Sequence, residues 1–229
     1  MTRRTRNALI AGASGLVGSF CLQRLLGDGR YDSIHSLVRR PSGIAHPRLV
    51  EHVVNFDSLE KEPTLPAVDD VYCCLGTTIA KAGSRDAFEK VDHDYVLSLG
   101  RITRDAGAQR FLLVSALGAD PVSGVFYNRV KGATELDIQQ LDFPALHIFR
   151  PSLLTGPRKE FRLGERLAIP VTALLRPLMR GGLARYRAVH ADHVAACMIE
   201  AAFVDMAGVD IHYPSETGKG SGPSALDPL

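Results

Sequence analysis

Residues 7–20 read NALIAGASGLVGSF, an apolar run followed by Gly12, Gly15 and Gly18 at three-residue spacing and then an amphipathic stretch. Residues 8–11 read as a short buried strand and residues 16–26 as the helix after it. Glycines in such a turn let the backbone reverse tightly, approach a pyrophosphate, and pack helix against strand. The helix N-terminus then offers unpaired N–H groups to phosphate oxygens. Ser14, Leu16 and Val17 belong to the same turn and join the three glycines as candidate nucleotide contacts.

Working outward, short apolar runs alternate with helical patterns, the signature of a parallel sheet covered on both faces. Strands are expected at 34–38, 49–54, 68–75, 111–114, 145–149 and 209–213. Helices are expected at 84–106, capped by Ser84 and closed by Gly107, at 125–141, and at 192–203. The reading is an α/β, Rossmann-like doubly wound sheet forming one domain over residues 1–213. Residues 156–190 form a substrate-side segment, and residues 214–229 lack periodicity and read as a disordered tail.

About 20 residues beyond the turn, an acidic side chain would bind ribose hydroxyls and an arginine would receive a 2′-phosphate. The sequence there is Ser36-Leu37-Val38-Arg39-Arg40-Pro41. With no Asp or Glu in it, Arg39 and Arg40 favour NADP(H) over NAD(H). Asp57 is either an adenine contact or the N-cap of the next helix.

The sequence FYNRVKGATEL puts Tyr127 and Lys131 four residues apart, twelve and more residues after Ser115. Residues i and i+4 share a helix face. A free tyrosine has a pKa near ~10, and an adjacent ammonium favours its phenolate. Ser115, at the carboxyl end of the fifth strand, lies where open α/β sheets bind ligands. Its hydroxyl is placed to hold a carbonyl oxygen while Tyr127 donates the proton, so Ser115, Tyr127 and Lys131 are the candidate catalytic set.

Composition excludes several classes. There are 27 Lys+Arg against 25 Asp+Glu, a formal charge of +2, too near neutral for a nucleic-acid footprint over the whole molecule. Cys21, Cys73, Cys74 and Cys197 have no C-x-x-C spacing and read as small apolar filler in a reduced compartment. Adjacent Cys73 and Cys74 are expected on opposite faces of a strand. The basic start MTRRTRNALIAG lacks the apolar core of a secretory peptide, and no run approaches the ~20 apolar residues of a transmembrane helix. A cytoplasmic protein, monomer or homodimer, is expected. No metal site is read: His190 and His193 flank Asp192, whose plainer role is the N-cap of the last helix.

The strings CCLGTTIAKAGSRDAFEKVDHDYVL, VSALGA, FYNRVKGATE and FRPSLLTGPR together resemble the short-chain dehydrogenase/reductase family in its atypical branch. More narrowly they resemble its Tat-interacting-protein group of NADPH-binding proteins. The resemblance spans residues 7–213 and implies NADPH in the strand-end crevice. It carries the cofactor loop after the fourth strand onto Leu75, Gly76 and Thr77, and the contacts after the sixth onto Pro151, Ser152 and Leu153. The Ser115, Tyr127 and Lys131 set beside the glycine turn points to hydride exchange between a nicotinamide and a small carbonyl or alcohol substrate. One departure stands out: where many members have a helix Asn that maintains a proton relay, the chain reads Val91-Asp92-His93-Asp94. An NADPH-sensing binding protein with little turnover is therefore an alternative, and a nucleotide-sugar epimerase a further one. From 158 to 187, eight basic residues face only Glu160 and Glu165. That segment suits an anionic substrate, a peripheral contact with an anionic membrane, an acidic partner, or a solvated face.

Overall fold

The computed structural model describes residues 5–61, 65–157 and 187–215. Strand β1 (Arg6–Ala11) runs through the glycine turn into helix α1 (Leu16–Gly27), which returns the chain to β2 (Tyr31–Val38) beside β1. β3 (Leu49–Val53) continues outward, and a 3₁₀ turn at Phe56–Lys61 begins the passage back across the sheet. β4 (Asp70–Cys73) then pairs with the opposite edge of β1. Beyond it come helices α2 (Ile79–Ala82), α3 (Arg85–Glu89) and α4 (Tyr95–Asp105), strand β5 (Arg110–Val114), helix α5 (Phe126–Gln139) and strand β6 (Ala145–Phe149). The short pair β7 (Leu154–Thr155) and β8 (Val189–His190) leads to α6 (Ala191–Ala201) and β9 (Gly208–His212). The large sheet has the order β3-β2-β1-β4-β5-β6-β9 with every neighbouring pair parallel. This is the Rossmann-like sheet read from the sequence.

Alternation along the strands supplies two cores. Ala8, Ile10, Tyr72, Leu112 and Phe149 pack on one face with α1 and α6, while Leu9, Ala11, Val71, Cys73, Phe111, Leu113 and Ile148 pack on the other. Fully burying one such aliphatic side chain stabilises the fold by about 1.5–3 kcal/mol. Cys73 and Cys74 divide between these two faces as expected, and all four cysteines are free thiols. On α4 the buried positions Val96, Leu99, Gly100 and Thr103 follow helical spacing and set the helix on the second core.

Three local readings are corrected. The fourth strand is shorter than 68–75, because the chain leaves the ladder after Cys73 to form the loop over the crevice. The single helix expected at 84–106 is broken by a π-turn at Lys90–Asp94, although Ser84 caps its start, its Oγ accepting from Ala87 N at 3.0 Å. The N-cap of the last helix is His190, not Asp192: His190 Nδ1 accepts from Asp192 N at 3.2 Å, which frees the Asp192 carboxylate to clasp Arg24 at 2.7 and 2.8 Å. Residues 158–186 and 216–229 lie outside the described residues, and with them most of the basic segment and the tail.

Candidate functional site

The carboxyl ends of β1 and β4 meet where the strand order reverses, the position at which open α/β sheets take ligands. Gly12 stands there with φ of 87°, and a Cβ on it would lie 2.4 Å from the Cys74 carbonyl oxygen. Gly18 lets α1 rest on the turn, since a Cβ would come within 2.1 Å of the Gly12 carbonyl oxygen. Gly15 differs. Its Cβ position is 3.2 Å from the Gly12 oxygen, and Gly15 and Ser14 are exposed at the helix start. Gly15 is the N-cap of α1, with no side-chain cap and no acidic residue in the first turn. The Leu16 and Val17 amides therefore begin a helix whose positive end faces the crevice uncompensated by a side chain. Val17 itself is core, so any ligand contact there is through its backbone. The turn fits a bound pyrophosphate.

Arg39 and Arg40 follow the end of β2 and are exposed, making no ion pair among the described residues. Arg39 is close enough to Tyr95 for its charge to favour that phenolate, against burial and Asp57, which together raise the Tyr95 pKa. Asp57 is not an N-cap. Asn55 Oδ1 accepts from the Asp57 amide at 3.0 Å, and the Asp57 carboxylate pairs with Lys90 Nζ at 2.7 Å and accepts from the Tyr95 hydroxyl. The pairing with Lys90 holds the Asp57 carboxyl below its ordinary range.

Across the crevice, α5 presents Tyr127, Lys131 and Glu135 on one face. Lys131 is 5% exposed, and its Nζ lies 2.8 Å from Oδ1 of Asp92, itself 1% exposed. Burial pulls the ammonium toward losing its proton. The Asp92 charge, helped by Tyr127, outweighs that and raises the Lys131 pKa above the ordinary lysine value. Asp92 sits in the π-turn, a local widening of the helix that often occurs at functional sites. Its Oδ2 accepts from the Thr77 amide at 2.7 Å, and its backbone carbonyl accepts from Thr134 Oγ1 at 3.0 Å. A Cβ at Gly76 would stand 3.3 Å from Asp92 Oδ1 and 3.8 Å from Lys131 Nζ, so the loop Leu75, Gly76, Thr77 is laid directly on the ion pair. Tyr127 is half-buried with its ring 5.5 Å from Phe88.

Ser115 is brought to the same face of α5, but its hydroxyl donates to Glu135 Oε1. Glu135 is held in turn by Arg150, whose Nη2 is 2.5 Å from Oε2 and whose Nε is 3.1 Å from both oxygens. The Ser115 proton is thus committed within the protein in this arrangement, and its oxygen keeps acceptor capacity. Pro151, Ser152 and Leu153 follow β6: the Pro151 carbonyl accepts from Leu117 N at 2.9 Å, Ser152 Oγ donates to the Arg187 carbonyl, and the Leu153 carbonyl accepts from Val189 N at 2.9 Å.

Sequence reading missed Asp92, Glu135 and Arg150 as parts of this site. Asp92 registered only as the absence of an Asn. Glu135 was legible in principle, being eight residues after Tyr127 on the same helix face.

Residues 12–140 match the NAD(P)H-binding family. A protein named HTATIP2 from Rattus norvegicus is 37% identical over 169 residues, which cover 72% of this chain and 69% of that protein. A protein named fmp52, mitochondrial, from Aspergillus niger is 31% identical over 202 residues, covering 85% of this chain and 86% of its own length. Among solved structures, MoeE5 in complex with UDP-glucuronic acid and NAD has a TM-score of 0.71 at 18% identity, covering 94% of this chain and 78% of that one. The human epimerase family protein SDR39U1 with NADPH has a TM-score of 0.63 at 13% identity, covering 93% and 75%. At these identities the solved structures are evidence of a shared fold. The glycine turn, the strand order and the two sequence relatives agree, and the chain belongs to the NAD(P)H-binding family, within its group of HTATIP2-like and FMP52-like proteins.

Proposed function

We propose that the protein is an NADP(H)-dependent oxidoreductase acting on a small carbonyl or alcohol, with Tyr127 as general acid and base. The observation that carries this reading is the placement of Tyr127 and Lys131 on one face of α5, with Lys131 kept charged by Asp92 against the loop after β4. A bound nicotinamide supplies or accepts the hydride. Around it, the turn Gly12, Ser14, Gly15, Leu16, Val17, Gly18 holds the pyrophosphate through backbone N–H groups, and Arg39 and Arg40 take the 2′-phosphate. Leu75–Thr77 and Pro151–Leu153, in residues 75–77 and 151–153, flank the cofactor. Tyr127 passes its proton to, or takes one from, the substrate oxygen, and Lys131 keeps positive charge beside that phenol. Ser115 orients the substrate oxygen if its hydroxyl turns from Glu135. A panel of aldehydes and ketones assayed with NADPH tests the reading. Turnover that disappears in Tyr127→Phe supports it, and turnover indifferent to that change opposes it.

A second reading has its own observation. Asp92, 2.8 Å from Lys131, cancels much of the positive field that favours proton transfer at Tyr127. An NADPH-sensing binding protein with little turnover needs the glycine turn but not the phenol. Partner capture that depends on NADPH, survives Tyr127→Phe and fails in Gly15→Val distinguishes it.

A further inference from the structure

We propose that His147, Asp210 and His212 form a binding site for a divalent transition-metal ion at the junction of β6 and β9, separate from the glycine turn and the acid–base face of α5. The register pairs His147 with Asp210 and Phe149 with His212, so all three side chains leave the same face of adjacent parallel strands. The His212 ring is stacked on Phe149, with centroids 4.5 Å apart and planes 10° from parallel, which fixes its orientation.

Two polar atoms converge on one ring nitrogen. His147 Nδ1 lies 3.0 Å from His212 Nε2, and Asp210 Oδ2 lies 3.3 Å from the same nitrogen. A single N–H serves one such neighbour well. If the proton is on His147 Nδ1, the His212 lone pair faces the Asp210 carboxylate. If it is on His212 Nε2, one of the two acceptors is left without it. A cation between the three atoms satisfies all of them at once. The separations also match: four ligands at ~2.0 Å in a tetrahedron stand about 3.3 Å apart. The three candidate ligand atoms all lie within 4.8 Å of one another.

Two imidazoles and one carboxylate leave a fourth position for water, a donor set suited to zinc and its first-row neighbours rather than to magnesium or calcium. His212 and Asp210 are partly exposed, at 26% and 34% of their side chains, so an ion has a route in, while His147 is buried at 1%. The nearest opposing charge on the next strand, Arg110, is engaged by Asp70 at 3.2 Å. Occupied, the site would pin the edge strand β9 to β6.

The test is a titration of the full chain, stripped with chelator, with Zn²⁺ alone, followed by calorimetry and by the visible absorption of Co²⁺ as a substitute. The proposal expects one saturable equivalent and a Co²⁺ spectrum of low-coordinate nitrogen and oxygen ligation. It expects affinity to fall at least tenfold in both Asp210→Asn and His212→Ala. Far-UV circular dichroism confirms that each variant is folded. Should His212→Ala unfold, the isosteric Asp210→Asn decides. Absence of saturable binding, or equal affinity in folded variants, overturns the proposal, the latter by locating the ion elsewhere.

Discussion

Asp92 and Lys131 form an ion pair at 2.8 Å with both groups withdrawn from water, and Asp92 also ties down the Thr77 amide. One carboxylate therefore favours the charged form of the lysine and ties down the loop after β4. Removing one partner from a buried pair leaves the other unsatisfied and costs about 3–5 kcal/mol. Asp92→Ala is expected to lose that much in urea unfolding. The charge-balanced double variant Asp92→Asn with Lys131→Met should recover a substantial part. An Asp92→Ala cost within the scatter of surface substitutions would contradict the pairing.

The three glycines of the turn should separate by role. Gly12→Ala places a side chain at a left-handed φ and against the Cys74–Leu75 backbone just after β4, and Gly18→Ala meets the Gly12 carbonyl. Each is expected to destabilise by about 1–3 kcal/mol or more from strain and overpacking. Gly15→Val leaves the thermal midpoint nearer that of the parent and removes NADPH binding measured by cofactor fluorescence.

Arg39 and Arg40 are read as the discriminator between the two nicotinamide cofactors. A charge-assisted contact to phosphate is worth about 1.5–3 kcal/mol. Arg39→Ala with Arg40→Ala should therefore weaken NADPH by roughly 10- to 100-fold or more while changing NADH affinity little. Parallel titrations check this, and equal affinities in the parent protein would refute the assignment.

His93 links the π-turn to α5, with Nε2 2.8 Å from Asp137 and Nδ1 2.8 Å from Asp94. Burial works against its charged form, but the two carboxylates outweigh it and raise its pKa. For a base with a raised folded pKa, the stabilisation is present in full below the unfolded value of ~6.5 and is lost as pH rises through the higher folded value. The stability gap between the parent and His93→Gln should therefore narrow from acid to mildly alkaline pH in urea titrations.

The fold was legible because alternation and glycine spacing are local. Residues 145–149 and the helix carrying Tyr127 and Lys131 come from patterns that need no partner to be recognised. The Ser84 cap and the division of Cys73 from Cys74 across the sheet are of the same kind. The site's second layer was not legible. Asp92 pairs with Lys131 from within a π-turn, and no residue pattern announces a π-turn. Arg150 reads as the end of a strand until β6 and α5 are brought together around Glu135. The cap at His190 was missed because Asp192 is the commoner capping residue, and its carboxylate had a stronger partner in Arg24, 168 residues away.

In the proposed reaction, hydride passes between NADP(H) and a carbonyl carbon while Tyr127 moves the proton. It is met most directly by following deuterium from NADPH deuterated at the nicotinamide C4 into product, by mass spectrometry, in the parent and in Tyr127→Phe. Deuterated alcohol is expected from the parent, and loss of it in the variant with NADPH binding retained. Deuterium transfer at the same rate in both proteins would contradict it.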